Sequence, residues 1–220
     1  MPGDLHIGVL ETSWGDKSSD SVRAFFEGLS NANLDIADGF VYERFSSKRS
    51  FSDTISYVIE KRRVQFLYIA SHGDSGGLRA ANYDKISRTE IRNDICALHN
   101  KPRTTLHGLF IGSCQFVTDK SARILFSDNG KMKNPLKWIA GYDTKAAWVQ
   151  STALDYMFWD TLFLERSLTK SHLTAITRAA DDLSENCSGL IRKLGFHIYV
   201  KKKGPGGGVK DLVSEAYDSD

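Results

Sequence analysis

Apolar positions along the chain gather into short unbroken runs, separated by longer stretches in which they recur every three or four residues. Short runs of this kind read as strands buried on both faces, and the spaced recurrence reads as helices with one apolar stripe. The runs place strands at Leu5–Leu10, Phe40–Phe45, Phe66–Ala70, Leu106–Ser113, Trp138–Tyr142 and Phe196–Val200, with helices beginning near Asp20, Ser52, Arg88, Asp119, Ala146 and Leu173. Strands alternating with helices predict an α/β fold: a three-layer sandwich with a mostly parallel six-stranded sheet and helices on both faces. Ser50 or Ser52 is placed to cap the helix bearing Ile55, Val58 and Ile59, and Thr118 or Asp119 the one bearing Ala122, Ile124 and Leu125. From Gly204 the chain reads Gly-Pro-Gly-Gly-Gly and then an acidic end. The expectation is one domain over 1–203 and a flexible tail over 204–220, whose removal leaves the fold intact.

Two of the strands run into reactive residues. Val64-Gln-Phe-Leu-Tyr-Ile-Ala-Ser-His-Gly73 loses its apolar pattern at His72, and Leu106-His-Gly-Leu-Phe-Ile-Gly-Ser-Cys114 loses it at Cys114. Ligands of open parallel sheets bind beyond the carboxyl ends of the strands. Neighbouring strands, joined by the usual right-handed crossover, would bring imidazole and thiol across one groove about 5 Å wide. A thiol beside an imidazole suits acyl transfer through a covalent intermediate, and the N–H groups of Gly73 and Cys114 are placed to hold an oxyanion.

An apolar strand closing on His-Gly, followed by an apolar strand closing on Cys, resembles the caspase-hemoglobinase group of cysteine proteases: caspases, metacaspases, separases, gingipains and the bacterial CHAT-type proteases. Phe66 to Gly73 and Leu109 to Gln115 carry the resemblance, with Gly141-Tyr142 and the following helix similar to the CHAT-type arrangement. It implies a His72–Cys114 dyad, cleavage of a protein or peptide substrate without a cofactor, and, as in prokaryotic relatives, a regulated effector of cell death or antiviral defence that needs an activating partner, a signal ligand or self-cleavage within Ser75–Ser87 or Asp128–Lys133. In such proteases the loops after the first and fifth strands wall the specificity pocket. Here they hold Glu11, Thr12, Ser13, Trp14 and Asp16, then Tyr142, Asp143 and Thr144; Asp143 is the expected acid of the pocket, with Asp155 as the alternative and Trp148 as a wall. The chain departs from the group where metacaspases carry an acid two positions before the cysteine, because that position is Gly112, and where caspases continue with Arg-Gly, because Gln115-Phe116 follows here.

Competing readings are weaker. Gly73-Asp74-Ser75-Gly76-Gly77 copies the surroundings of a trypsin-like serine, yet the only other upstream histidine is His6 and that family needs a further Asp. A nucleophile elbow needs a small residue where Phe116 stands, and no glycine-rich phosphate loop follows the first strand. A protease-like scaffold with an unused dyad is the remaining alternative, since fold alone does not give function.

Composition narrows the setting. With 29 basic and 27 acidic residues interspersed, no charged stripe proposes a nucleic acid. No apolar run approaches the roughly 20 residues of a bilayer span. Three cysteines in no metal or disulfide spacing, without a signal segment, point to the cytoplasm. His6, His99, His107, His172 and His197 show no ligand spacing, so no metal site is expected.

Overall fold

The computed structural model describes residues 7–13, 21–32, 40–62, 64–99, 105–202 and 208–218. A seven-stranded sheet runs through the molecule in the order β10-β9-β8-β7-β3-β1-β2. Its strands are β1 (Ile7–Glu11), β2 (Phe40–Arg44), β3 (Phe66–Ala70), β7 (Gly108–Gly112), β8 (Trp138–Tyr142), β9 (Phe196–Lys201) and β10 (Val209–Asp211). Pairing is parallel from β2 through β8, and β9 and β10 close one edge antiparallel. A separate antiparallel ribbon holds β4 (His72–Asp74), β5 (Gly77–Arg79) and β6 (Lys85–Ile86).

Period-two alternation sorts the strand side chains onto two faces. Phe66, Tyr68, Phe110, Trp138 and Ala140 join one core with residues of α1 (Arg23–Ala32), α5 (Trp148–Leu168), α6 (His172–Leu194) and α7 (Glu215–Asp218). Leu67, Ile69, Leu109, Ile111 and Ile139 join the other with α2 (Lys48–Arg62), α3 (Arg88–His99) and α4 (Asp119–Phe126). The three-layer α/β sandwich is therefore present, with seven strands in place of the expected six. Gly108 lets two strands of the first core pack closely, because a Cβ there would sit 2.1 Å from the Trp138 ring.

Helix starts follow their capping chemistry. Thr118 caps α4, accepting from Ser121 N at 3.2 Å. For α2 the cap is Ser47, upstream of both expected serines: Ser47 Oγ accepts from Ser50 N (3.1 Å) while Ser50 Oγ accepts from Ser47 N (2.9 Å). Ser87 and Glu90 form the same reciprocal pair at α3, and Gly195, in the left-handed region at φ 58°, ends α6.

The seventh strand corrects the reading of the C-terminal segment as a flexible tail. Residues 203–207, which include most of the glycine run, lie outside the described residues. Beyond them β10 pairs with β9, and Val209, Val213 and Ala216 are buried. His197 fastens this return: its Nδ1 lies 2.7 Å from Asp211 Oδ2 and its Nε2 lies 3.1 Å from Asp143 Oδ2, and its ring stacks on Tyr217. Burial works against the imidazolium, but the two carboxylates outweigh it and raise the His197 pKa. Weak local hydrophobicity hid a segment whose few apolar residues all face inward.

Candidate active site

The β3–β7 register aligns Ala70 with Gly112. His72 and Cys114 each stand two residues beyond that hydrogen-bonded pair, so the two tips leave the same edge of the sheet one strand spacing, about 4.8 Å, apart. The backbone then diverges. Ser71 is fully buried and its hydroxyl donates to the carbonyls of His72 (2.7 Å) and Arg79 (2.9 Å), and the chain turns into the small ribbon with His72 exposed. His72 thus begins a second sheet and does not end the first. The Asp74-Ser75-Gly76-Gly77 stretch is the turn of this ribbon, closed by Asp74 Oδ1 accepting from Gly76 N at 2.6 Å.

Cys114 is half-buried, its Sγ 3.9 Å from the carbonyl oxygen of Ala146. The next residue, Gln115, adopts φ 55°, a left-handed conformation uncommon for a side-chain-bearing residue. Three backbone bonds hold the turn against the end of β8: Gln115 N to Thr144 O, and Phe116 N and Val117 N to Tyr142 O, each 2.9 Å. Gly73 presses against this loop. A Cβ on it would lie 2.1 Å from Ser113 Oγ and 3.3 Å from the Cys114 carbonyl oxygen, so any side chain there would force the Ser113 side chain or its loop to shift.

Arg88, at the start of α3, ties the two halves together. Its guanidinium donates to the Ser75 carbonyl (2.9 Å), the Phe116 carbonyl (2.9 Å) and Ser121 Oγ (2.6 Å), and lies 4.2 Å from the centre of the Phe116 ring. Nothing in the local sequence marks Arg88. It follows a helix-capping serine and is separated in sequence from everything it holds.

His72 and Cys114 open onto one cleft of about 220 Å³, bounded also by Val22, Tyr68, Gly112, Tyr142, Ala146, Trp148 and Asp155. Of the residues expected to bind substrate, Tyr142 and Trp148 line it, and Trp148, opening α5, is 43% exposed at its rim. Asp143 and Glu11 are absent from that lining. Asp143 turns toward β9 and bonds His197. Glu11 is fully buried beneath the start of α1, accepting from Val22 N (2.9 Å), Ser21 Oγ (2.6 Å) and Tyr42 Oη. In both cases nearby backbone and imidazole groups claim the carboxylate. Trp14 and Asp16 lie outside the described residues. Among the described residues the acid that does reach the cleft is Asp155, the alternative, which the helical pattern places more readily in solvent. It is 4% exposed, and its two oxygens accept from Tyr68 Oη (2.7 Å) and Tyr142 Oη.

Among the described residues no group of three or more His, Cys, Asp or Glu could hold a metal ion, and no helix is long and apolar enough to cross a membrane. No protein-family model matches the chain, and no curated protein does. Among solved structures it is similar to that of pro-sf-caspase-1, at 14% sequence identity and a TM-score of 0.41, over 84% of this chain and 81% of the other.

Proposed function

We propose that this chain is a cysteine endopeptidase in which Cys114 attacks the scissile carbonyl and His72 manages the proton. The observation that carries the reading is the β3–β7 register, which leaves both side chains two residues past paired positions and lining a single open cleft. In the proposed reaction the Cys114 sulfur, its proton taken by His72, bonds the carbonyl carbon. The tetrahedral oxyanion faces the N–H groups of Gly73 and Cys114. The C–N bond then breaks as the imidazolium returns its proton to the leaving amine, and water, with His72 as base, hydrolyses the thioester to free Cys114. The close approach of Gly73 to Ser113 and Cys114, together with the Arg88 tie, supports a site whose two halves keep a fixed spacing. A regulated cytoplasmic effector acting on proteins, in defence or cell death, is the role that goes with this reading.

An electrophilic peptide probe tests it. Mass spectrometry is expected to find the adduct on Cys114, with none in Cys114→Ala and at least roughly 100-fold slower labelling in His72→Ala, the loss typical of a general base. Labelling that is equally fast in His72→Ala would remove the dyad and leave a scaffold.

A further inference from the structure

Among the described residues Asp155 is the only carboxyl lining the cleft, and it is placed unusually for an acid. Its carboxyl is almost fully buried, both oxygens accept from neutral phenols, and among the described residues neither lysine nor arginine pairs with it. Buried carboxylates are ordinarily matched with a cation, since an unpaired charge away from water is strongly unfavourable. Among the described residues, what adjoins Asp155 on that side is the cleft. The cleft reaches from Cys114 to Asp155 past Val22, Ala146 and Trp148, surfaces suited to an aliphatic stem and, at Trp148, to a cation over an indole. Gly112 adds to the floor: a Cβ there would lie 2.2 Å from Tyr68 Oη, so the missing side chain is what lets that hydroxyl reach Asp155.

We propose that this cleft receives an arginine or lysine side chain of the substrate, whose cation supplies a counterion that none of the described residues gives Asp155, making Asp155 the specificity-determining residue. The proposal rests on the endopeptidase reading for its biological meaning, but the pocket itself binds independently of turnover. An acidic side chain is rejected because two carboxylates would share one low-dielectric site, and an apolar one leaves Asp155 without its partner.

In the free protein, burial pushes the Asp155 carboxyl up to about 7, against the lowering effect of the two phenols. A cation that favours the ionised form therefore expels a proton near neutrality, and its affinity rises as pH climbs through about 7. Among the described residues the other titratable groups facing Asp155 are Tyr68 on β3 and Tyr142 on β8, both raised well above their ordinary values by burial, with Cys114 beyond β7 and His72 on β4 bordering the same cleft.

The test uses the full chain carrying Cys114→Ala and His72→Gln, which silences turnover and removes the thiol and imidazole from the cleft while keeping Asp155. Calorimetry with N-acetyl-arginine methylamide and N-acetyl-norleucine methylamide, in two buffers of different ionisation enthalpy, is expected to show that the arginine compound binds, with proton release at pH 7. Adding Asp155→Asn is expected to weaken it at least about 10-fold, as for loss of a charged hydrogen-bond partner. Equal affinity for both compounds, no binding of either, or affinity unchanged by Asp155→Asn overturns the proposal. Should the asparagine variant not fold, proton release in the parent variant decides. If the arginine compound binds as expected but the electrophilic probe labels Cys114 equally fast in wild type and His72→Ala, the pocket stands and the endopeptidase reading falls.

Discussion

Replacing Arg88 with alanine removes a side chain that bonds both the His72 ribbon and the Cys114 loop. Three hydrogen bonds are lost, two of them to main-chain carbonyls, together with the guanidinium packed on Phe116. A hydrogen bond from a charged donor contributes about 1.5–3 kcal/mol when buried. Arg88 is half-buried, and water can reach part of what it leaves, so the lower end applies and the shared partners make the three bonds less than additive. The expected loss is about 3 kcal/mol. Arg88→Lys keeps the charge but has no planar fork, so it is expected to recover one bond and about 1 kcal/mol. Urea unfolding of the three full-length proteins gives these values directly from the midpoints. Because the tie spans the two halves of the site, Arg88→Ala is also expected to lower kcat for a peptide substrate more than it raises KM, and to speed amide exchange at Ser75–Leu78 more than in β9. A stability loss under about 0.5 kcal/mol, with exchange at the ribbon unchanged, would mean that the guanidinium bonds are surface decoration and the reasoning fails.

Other consequences follow from single contacts. Gly73→Ala is expected to slow probe labelling of Cys114 at least about 10-fold by pushing the Ser113 loop away, and Ser113→Ala, which removes a buried hydroxyl that has no hydrogen-bond partner among the described residues, should restore part of it; no rescue would locate the fault elsewhere. Ending the chain after residue 207 exposes the partners of Val209, Val213 and Ala216 and strips Asp211 from His197, an expected loss on the order of 5 kcal/mol in urea; an unchanged midpoint would restore the tail interpretation. His172 has its pKa lowered to about 3 by burial first, then by His107, Arg166 and Lys137. The unfolded chain thus binds its proton more readily, and the stability this site contributes is full above about pH 6.5 and lost as pH falls toward 3. His172→Phe is expected to flatten that part of the pH–stability curve relative to wild type, and parallel curves would refute the assignment.

The strands and their chemistry were legible because burial on both faces leaves a strong local signature. Phe66–Ala70 and Trp138–Tyr142 have the predicted bounds, and the edge at which His72 and Cys114 emerge followed from parallel pairing. Helix starts were legible only to within neighbouring candidates: the cap of α4 is Thr118, one of the two residues expected, whereas for α2 it is Ser47, outside the expected pair and among serines able to do the same work. The acids could not be sorted in this way. Glu11, Asp143 and Asp155 are each a carboxyl near the end of a strand or the start of a helix, and sequence says nothing of which groups face them.

The sequence by itself determined the alternation of strands and helices, the α/β layering and the pair of strand tips that bear a thiol and an imidazole, because each depends on periodicities of two or 3.6 residues within a short window. Only the tertiary structure decided that Val209, Val213 and Ala216 join the core, that Arg88 bonds both the ribbon and the Cys114 loop, and that Asp155 lines the cleft while Asp143 bonds His197. Those outcomes turn on contacts between residues far apart in the chain. A carboxylate or guanidinium is placed by whichever polar partner packing brings within about 3 Å, and that choice leaves no local periodicity to read.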